Sequence, residues 1–130
     1  MATEFIVKLR DRPGQLAAAT KALADAKVNL WGTAASTARG AGTVGFIVKD
    51  KDTARARRAL KAAKIRATER KAIEVRMQDK PGALARVASR LGKKKVNIAS
   101  AYVLAPGRGN VTVAFGVKDA RAAKKALGRG

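Results

Sequence analysis

The chain has no cysteine and no histidine. Thiolate and imidazole metal sites are thereby excluded, as are disulfides and the Ser–His and Cys–His nucleophile systems. The sequence therefore implies no metal and no cofactor. Aromatic residues make up only 4% of the chain, so Ala, Val, Leu and Ile must fill any core. Acidic residues are also scarce, 9 against 29 Lys and Arg, which leaves a formal charge of +20. No apolar run approaches the ~18 residues of a membrane-spanning helix. Met1-Ala2-Thr3-Glu4 lacks the basic and apolar regions of a secretory leader, so the expected location is the cytoplasm, with no membrane partner.

Hydrophobic residues reach 47%, too many for a disordered chain despite the charge. The excess charge is not a tail. Residues 1–64 hold 13 basic and 5 acidic side chains, and residues 65–130 hold 16 and 4. An excess of this size suits polyanions as partners, nucleic acid among them, although a spread of this kind is also what a solvated surface shows.

The dominant feature is a repeat. Asp11-Arg12-Pro13-Gly14-Gln15-Leu16 returns as Asp79-Lys80-Pro81-Gly82-Ala83-Leu84, at an offset of 79 − 11 = 68. Val28-Asn29-Leu30 returns as Val96-Asn97-Ile98 at the same offset, 97 − 29 = 68. Two modules of roughly 65 residues follow, 1–70 and 71–130, each too small to bury a large core alone.

Glu4–Leu9 alternates, with Phe5, Val7 and Leu9 on one face, and reads as a strand. Pro13 ends it, because proline excludes helix from the residue before it. Leu16, Thr20, Leu23 and Ala24 then recur at helical spacing over 14–26. Val28–Thr37 and Thr43–Lys49 form a hairpin. Asp52 is placed as N-cap of a helix over 53–63, and Ile65–Glu69 is a short fourth strand. The second copy restarts with Ile73, Val75 and Met77. Its helix runs over 82–94 with Leu84, Val87 and Leu91 inward, its hairpin spans 96–104 and 111–117, and Asp119 caps its last helix. The order is β-α-β-β-α-β, an α+β ferredoxin-like pattern. The second copy reaches Gly130 without a fourth strand, so Ile73–Met77 is expected to need cover from Ile65–Glu69 or from another chain.

Strand, Asp-x-Pro-Gly-x-Leu, helix, Val-Asn-apolar, hairpin and helix, twice over, resembles the ACT domain, a small amino-acid-binding regulatory module. Asp11, Pro13, Gly14, Leu16, Val28, Asn29 and Leu30 carry the likeness in one copy; Asp79, Pro81, Gly82, Leu84, Val96, Asn97 and Ile98 carry it in the other. The resemblance implies two ACT modules packed side by side, further association into a homo-oligomer such as a dimer, and a free amino acid bound at interfaces between modules. It also implies a regulated partner protein that the sequence does not name. The amino-acid-binding candidates are Asp11, Arg12, Pro13, Gly14, Gln15, Leu16, Asn29 and Leu30, with Asp79, Lys80, Pro81, Gly82, Ala83, Leu84, Asn97 and Ile98. Their chemistry suits a zwitterion. Glycine lets a ligand approach the backbone, a helix N-terminus offers N–H groups to a carboxylate, Asp11 and Asp79 accept from an ammonium, and the two asparagines offer donor and acceptor together. Two departures stand out. Leu9 and Met77 occupy positions where some members carry histidine, and Lys27 and Lys95 stand where the family commonly has glycine.

The same element order belongs to the RNA-recognition module, and Arg39-Gly40-Ala41-Gly42-Thr43-Val44-Gly45-Phe46 fits its strand signature in frame. The base-stacking positions are Ala41 and Thr43, then Asn110 and Thr112 in the second copy, and none of these can stack. What remains of that reading is sequence-independent binding of phosphate backbone through Arg55, Arg57, Arg58, Lys61, Lys124 and Lys125. Catalysis is disfavoured, since no pair of carboxylates recurs in both copies.

Overall fold

The computed structural model describes residues 1–10 and 12–128. The elements are β1 (Ala2–Arg10), α1 (Gln15–Asp25), β2 (Gly32–Ala38), β3 (Ala41–Lys49), α2 (Asp50–Ala62), β4 (Ala67–Gln78), α3 (Ala83–Lys93), β5 (Ile98–Pro106), β6 (Asn110–Val117) and α4 (Ala120–Ala126). The chain divides into a first unit, Thr3–Glu69, and a second unit, Arg70–Gly130 with Met1 and Ala2. The fold is α+β with ferredoxin-like character, built on antiparallel hairpins.

In the first unit the strand order is β2-β3-β1. Strands β2 and β3 pair antiparallel from Gly32↔Ile47 to Ala38↔Ala41. Phe5, Val7, Ala19, Leu23, Val28, Val44, Phe46, Val48, Ala56 and Leu60 form its core. In the second unit the order is β4-β6-β5, and β4 pairs antiparallel with β6 from Lys71↔Val117 to Gln78↔Asn110. Its core is Ile73, Val75, Met77, Ala83, Leu91, Val96, Val113, Phe115, Val117, Ala123 and Leu127. The cores correspond residue for residue: Val7 with Val75, Leu23 with Leu91, Phe46 with Phe115, Leu60 with Leu127. Burying each such side chain contributes ~1.5–3 kcal/mol.

Several expectations are corrected. The segments expected as two strands, 65–69 and 73–77, fall in one strand, β4, which begins only at Ala67. No Gly or Pro stands between Glu69 and Ile73, so nothing turns the backbone there. Strand β2 starts at Gly32, four residues later than expected, because the residues after α1 are used to terminate that helix. Lys27 adopts φ 59°, its N–H donates to Ala24 O at 2.9 Å, and the Val28 N–H donates to Leu23 O at 3.0 Å. This is the Schellman arrangement, with lysine where glycine is usual. Lys64 (φ 60°) and Lys95 (φ 60°) end α2 and α3 in the same way.

Helix α2 begins at Asp50, so Asp52 is not its cap. The Asp52 carboxylate is buried and accepts a hydrogen bond from the Arg55 guanidinium, which also donates to Lys27 O at 3.4 Å. Asp119 does cap α4, accepting the Ala122 N–H at 3.0 Å. Glu4, on the face of its strand opposite Phe5 and Val7, is buried as well. Leu16 (43% exposed) and Leu84 (47%) do not face the cores; the buried positions of their helices are Ala19 and Leu23, then Ala83 and Leu91.

Candidate functional site

Each candidate loop is a turn that proline and glycine dictate. In the first unit the Gln15 N–H donates to Arg12 O at 3.3 Å across Pro13-Gly14, and Gly14 sits at φ 87°, ψ −9°. That is a type II turn, with proline supplying the first central φ and glycine the positive second one. In the second unit the Ala83 N–H donates to Lys80 O at 3.2 Å across Pro81-Gly82, and Gly82 sits at φ 88°, ψ −13°. The flanking bonds repeat as well. Arg12 N–H to Arg10 O (2.8 Å) matches Lys80 N–H to Gln78 O (3.0 Å), and Ala18 N–H to Gly14 O matches Arg86 N–H to Gly82 O, both 3.0 Å.

The glycines are required by this backbone conformation. A Cβ on Gly14 would meet nothing within 4 Å, so the space in front of the turn is open. A Cβ on Gly82 would meet one of the Arg86 guanidinium nitrogens at 3.4 Å. Arg86 thus reaches over the second loop. Its repeat counterpart is Ala18, so reading the sequence for features common to both copies passes over it.

Neither α1 nor α3 has a side-chain cap at its N-terminus. Asp79 therefore does not cap α3, and its own N–H donates to Gly109 O at 3.0 Å, joining the loop to the β5–β6 turn. Asp11 lies outside the described residues. Arg12, Pro13, Gly14, Asp79, Lys80, Pro81 and Gly82 are exposed, Gln15 is half-buried and Ala83 is buried. Uncapped helix starts of this kind present N–H groups and a partial positive charge to an anion.

Asn29 and Asn97 are both exposed, each directly after a buried valine that completes a Schellman turn. Neither opens a strand as expected: Asn29 precedes β2 by three residues, and Asn97 immediately precedes β5. Their side chains make no hydrogen bond among the described residues. Leu30 and Ile98 are half-buried against their own cores. Trp31, next to Leu30, stacks under the Lys49 ammonium, 3.8 Å from its ring centroid. No cluster of three or more metal-ligating side chains occurs among the described residues, and no helix of theirs is long and apolar enough to cross a membrane.

Residues 71–129 match the ACT domain family. The match spans somewhat less than half of the chain and falls on the second unit. No curated protein matches the chain. Among solved structures, a protein of Bacteroides thetaiotaomicron is similar over 97% of this chain and 85% of its own, at 24% identity and a TM-score of 0.81. The ligand-free regulatory subunit of aspartate kinase from Thermus thermophilus is similar over 98% and 90%, at 21% identity and a TM-score of 0.71. Aspartate kinase from Synechocystis aligns over 98% of this chain but 24% of its own, at 20% identity and a TM-score of 0.68. At these identities the likeness is one of fold. The second unit's loop, Asp79 to Leu84, lies inside the segment that matches the ACT domain family, with Asn97 and Ile98 further along it.

Proposed function

We propose that the protein is a non-catalytic regulatory module that binds a free amino acid at its two Pro-Gly loops. The observation that carries this reading is the duplicated loop. One turn type and one bonding pattern, with an uncapped helix start, occur in both units, although the surrounding residues differ. A carboxylate would be received by the first-turn N–H groups behind Gly14 and Gly82. Asp11 and Asp79 would accept from the ammonium, and Asn29 and Asn97 would hold either end. Leu16 and Leu84, apolar and exposed beside these N–H groups, would meet the ligand's side chain.

The first unit is proposed as a second ACT-type module, with ligands held where modules meet, in a cytoplasmic homo-oligomer. The ACT domain in residues 71–129 and the fold shared with regulatory subunits of aspartate kinase support a task of controlling a partner protein. Leu9 and Met77 supply no ring nitrogen to the loops, so the reading names a class of ligand, small amino acids.

A thermal-shift screen of the common amino acids tests it. Occupancy at 100-fold above Kd stabilises by about 2.7 kcal/mol, a shift well within reach of the method. Asn29→Ala with Asn97→Ala, both at exposed positions, should reduce the shift without lowering the ligand-free melting temperature. If no amino acid raises melting, or the double variant responds like wild type, the reading fails.

A further inference from the structure

The first unit contains a recess away from the Pro-Gly loop. A cleft of about 810 Å³ is bounded by β1, the C-terminal half of α2 and the segment leading into β4. None of its lining residues belongs to 11–16 or to Asn29-Leu30. Its size is that of a small-molecule site.

Two chemistries meet there. The floor is aliphatic, formed by the accessible Ile6, Ile65 and Ala67 over the buried Leu60. Phe5 also borders it but is only 1% exposed, so no aromatic face is offered. The rim is cationic: Lys8, Lys61, Lys64 and Arg66 are all exposed, and none has a side-chain hydrogen bond or ion pair among the described residues. Arg57 is already committed, donating to both Glu69 carboxylate oxygens at 2.6 and 2.8 Å. Four cations without counter-charge therefore converge on one apolar recess. Their mutual repulsion falls when an anion enters, and an aliphatic floor gains only if that anion carries an apolar chain. Bases of nucleic acid would need aromatic surface for stacking, which the cleft does not provide.

We propose that this cleft binds a free anionic amphiphile, with a carboxylate or phosphate head held by Lys61, Lys64, Arg66 and Lys8, and a short aliphatic chain on Ile6, Ile65 and Ala67. The site is independent of the amino-acid-binding reading, because no residue is shared.

Calorimetric titration of the full chain with decanoate and decyl phosphate tests the proposal. Decanol, inorganic phosphate, a short mixed-sequence oligonucleotide and anionic phospholipid vesicles serve as comparators. The expected result is one decyl anion per chain, with decanol and inorganic phosphate at least about tenfold weaker, since each lacks one of the two halves. Lys61→Gln with Arg66→Gln should weaken decanoate by about tenfold or more, and Ile65→Ser should weaken it without changing its salt dependence. Lys8→Gln with Lys64→Gln, made at exposed positions, provides a second charge test should the first pair prove unstable. Asn29→Ala with Asn97→Ala should leave decanoate binding unchanged, which separates this site from the loops. The proposal is overturned if inorganic phosphate binds as tightly as decyl phosphate. It is equally overturned if only vesicles or the oligonucleotide bind, or if both charge variants bind decanoate like wild type.

Discussion

The two units use one plan and differ where a single repeat position has been given two tasks. Asp52 and Asp119 correspond at an offset of 119 − 52 = 67. Asp119 stands outside α4 and caps it. Asp52 lies inside α2, buried and bonded to Arg55, whose counterpart is Ala122. The reason is where each helix begins. Helix α2 starts directly after β3, at Asp50, and runs 13 residues; α4 starts only after Lys118-Asp119 and runs 7. The added turn at the start of α2 draws Asp52 into the helix. There Arg55, one turn on, reaches both that carboxylate and the carbonyl of Lys27 at the end of α1. A local repeat in sequence therefore yields a cap in one unit and, in the other, a half-buried ion pair whose arginine also bonds the end of a second helix.

The comparison is open to direct attack, because the only tryptophan, Trp31, lies in the first unit and the only tyrosine, Tyr102, in the second. Each unit can be followed by its own fluorophore during denaturant unfolding. The largest effect is expected from the matched pair Phe46→Ala and Phe115→Ala, both fully buried, at about 3–5 kcal/mol each. A cost confined to one of them would break the equivalence of the cores. Asp52→Ala should come next, at about 1–3 kcal/mol, because it removes the acceptor of a charge-assisted bond. Asp119→Ala should cost only about 1 kcal/mol, the value of a lost cap. Equal costs would mean that the two aspartates are energetically alike, and the reverse order would overturn the comparison. Lys27→Gly, Lys64→Gly and Lys95→Gly should each raise stability by about 0.5–1 kcal/mol, as glycine adopts the left-handed conformation without strain. A loss at any of them would show that the lysine side chain contributes more there than its backbone strain costs.

The smallest effect concerns Lys21. Its hydrogen bond to Asp25, at 2.8 Å, and then the charge of that carboxylate raise its pKa above the ordinary 10.5. A raised folded pKa stabilises below the unfolded value, and that contribution is lost as pH rises through the folded one. Asp25→Asn should therefore return Lys21 to its ordinary titration, followed by NMR, and remove a small loss of stability above pH 10.5. The second unit offers a control, because Lys93 is the repeat counterpart of Asp25 and no such pair forms there.

Much of the fold was legible in the residues. Phe5, Val7 and Leu23 are buried as their spacing demands, and both Pro-Gly turns precede helices because proline and glycine have few other backbone options. Helix faces were less legible. Leu16 and Leu84 fit an apolar stripe, yet each sits in the first turn, at the exposed edge of its helix, where Ala19 and Ala83 pack inward instead. Of the candidate site, the turns and the two asparagines could be found by repetition. Arg86 could not, since it occurs in only one copy, and neither could the Asp79–Gly109 bond, which joins residues distant in sequence.

By itself the sequence determined what local chemistry controls: the strand-turn-helix start and the hairpin of each copy, the placement of the two Pro-Gly turns, and most of the residues whose apolar character forces them into a core. The tertiary structure alone decided the rest. Three lysines hold glycine-like conformations, because the helix ends before them must satisfy their last carbonyls and packing outweighs a strain of ~1 kcal/mol each. Glu69 and Ile73 share one strand, because pairing with β6 reaches back to Lys71 and keeps the intervening backbone extended. Lys8, Lys61, Lys64 and Arg66 surround one aliphatic cleft, because strand β1, some fifty residues earlier in the chain, lies beside the end of α2 and the segment that follows it. Charge counting along the chain records that excess, and only the folded backbone places it.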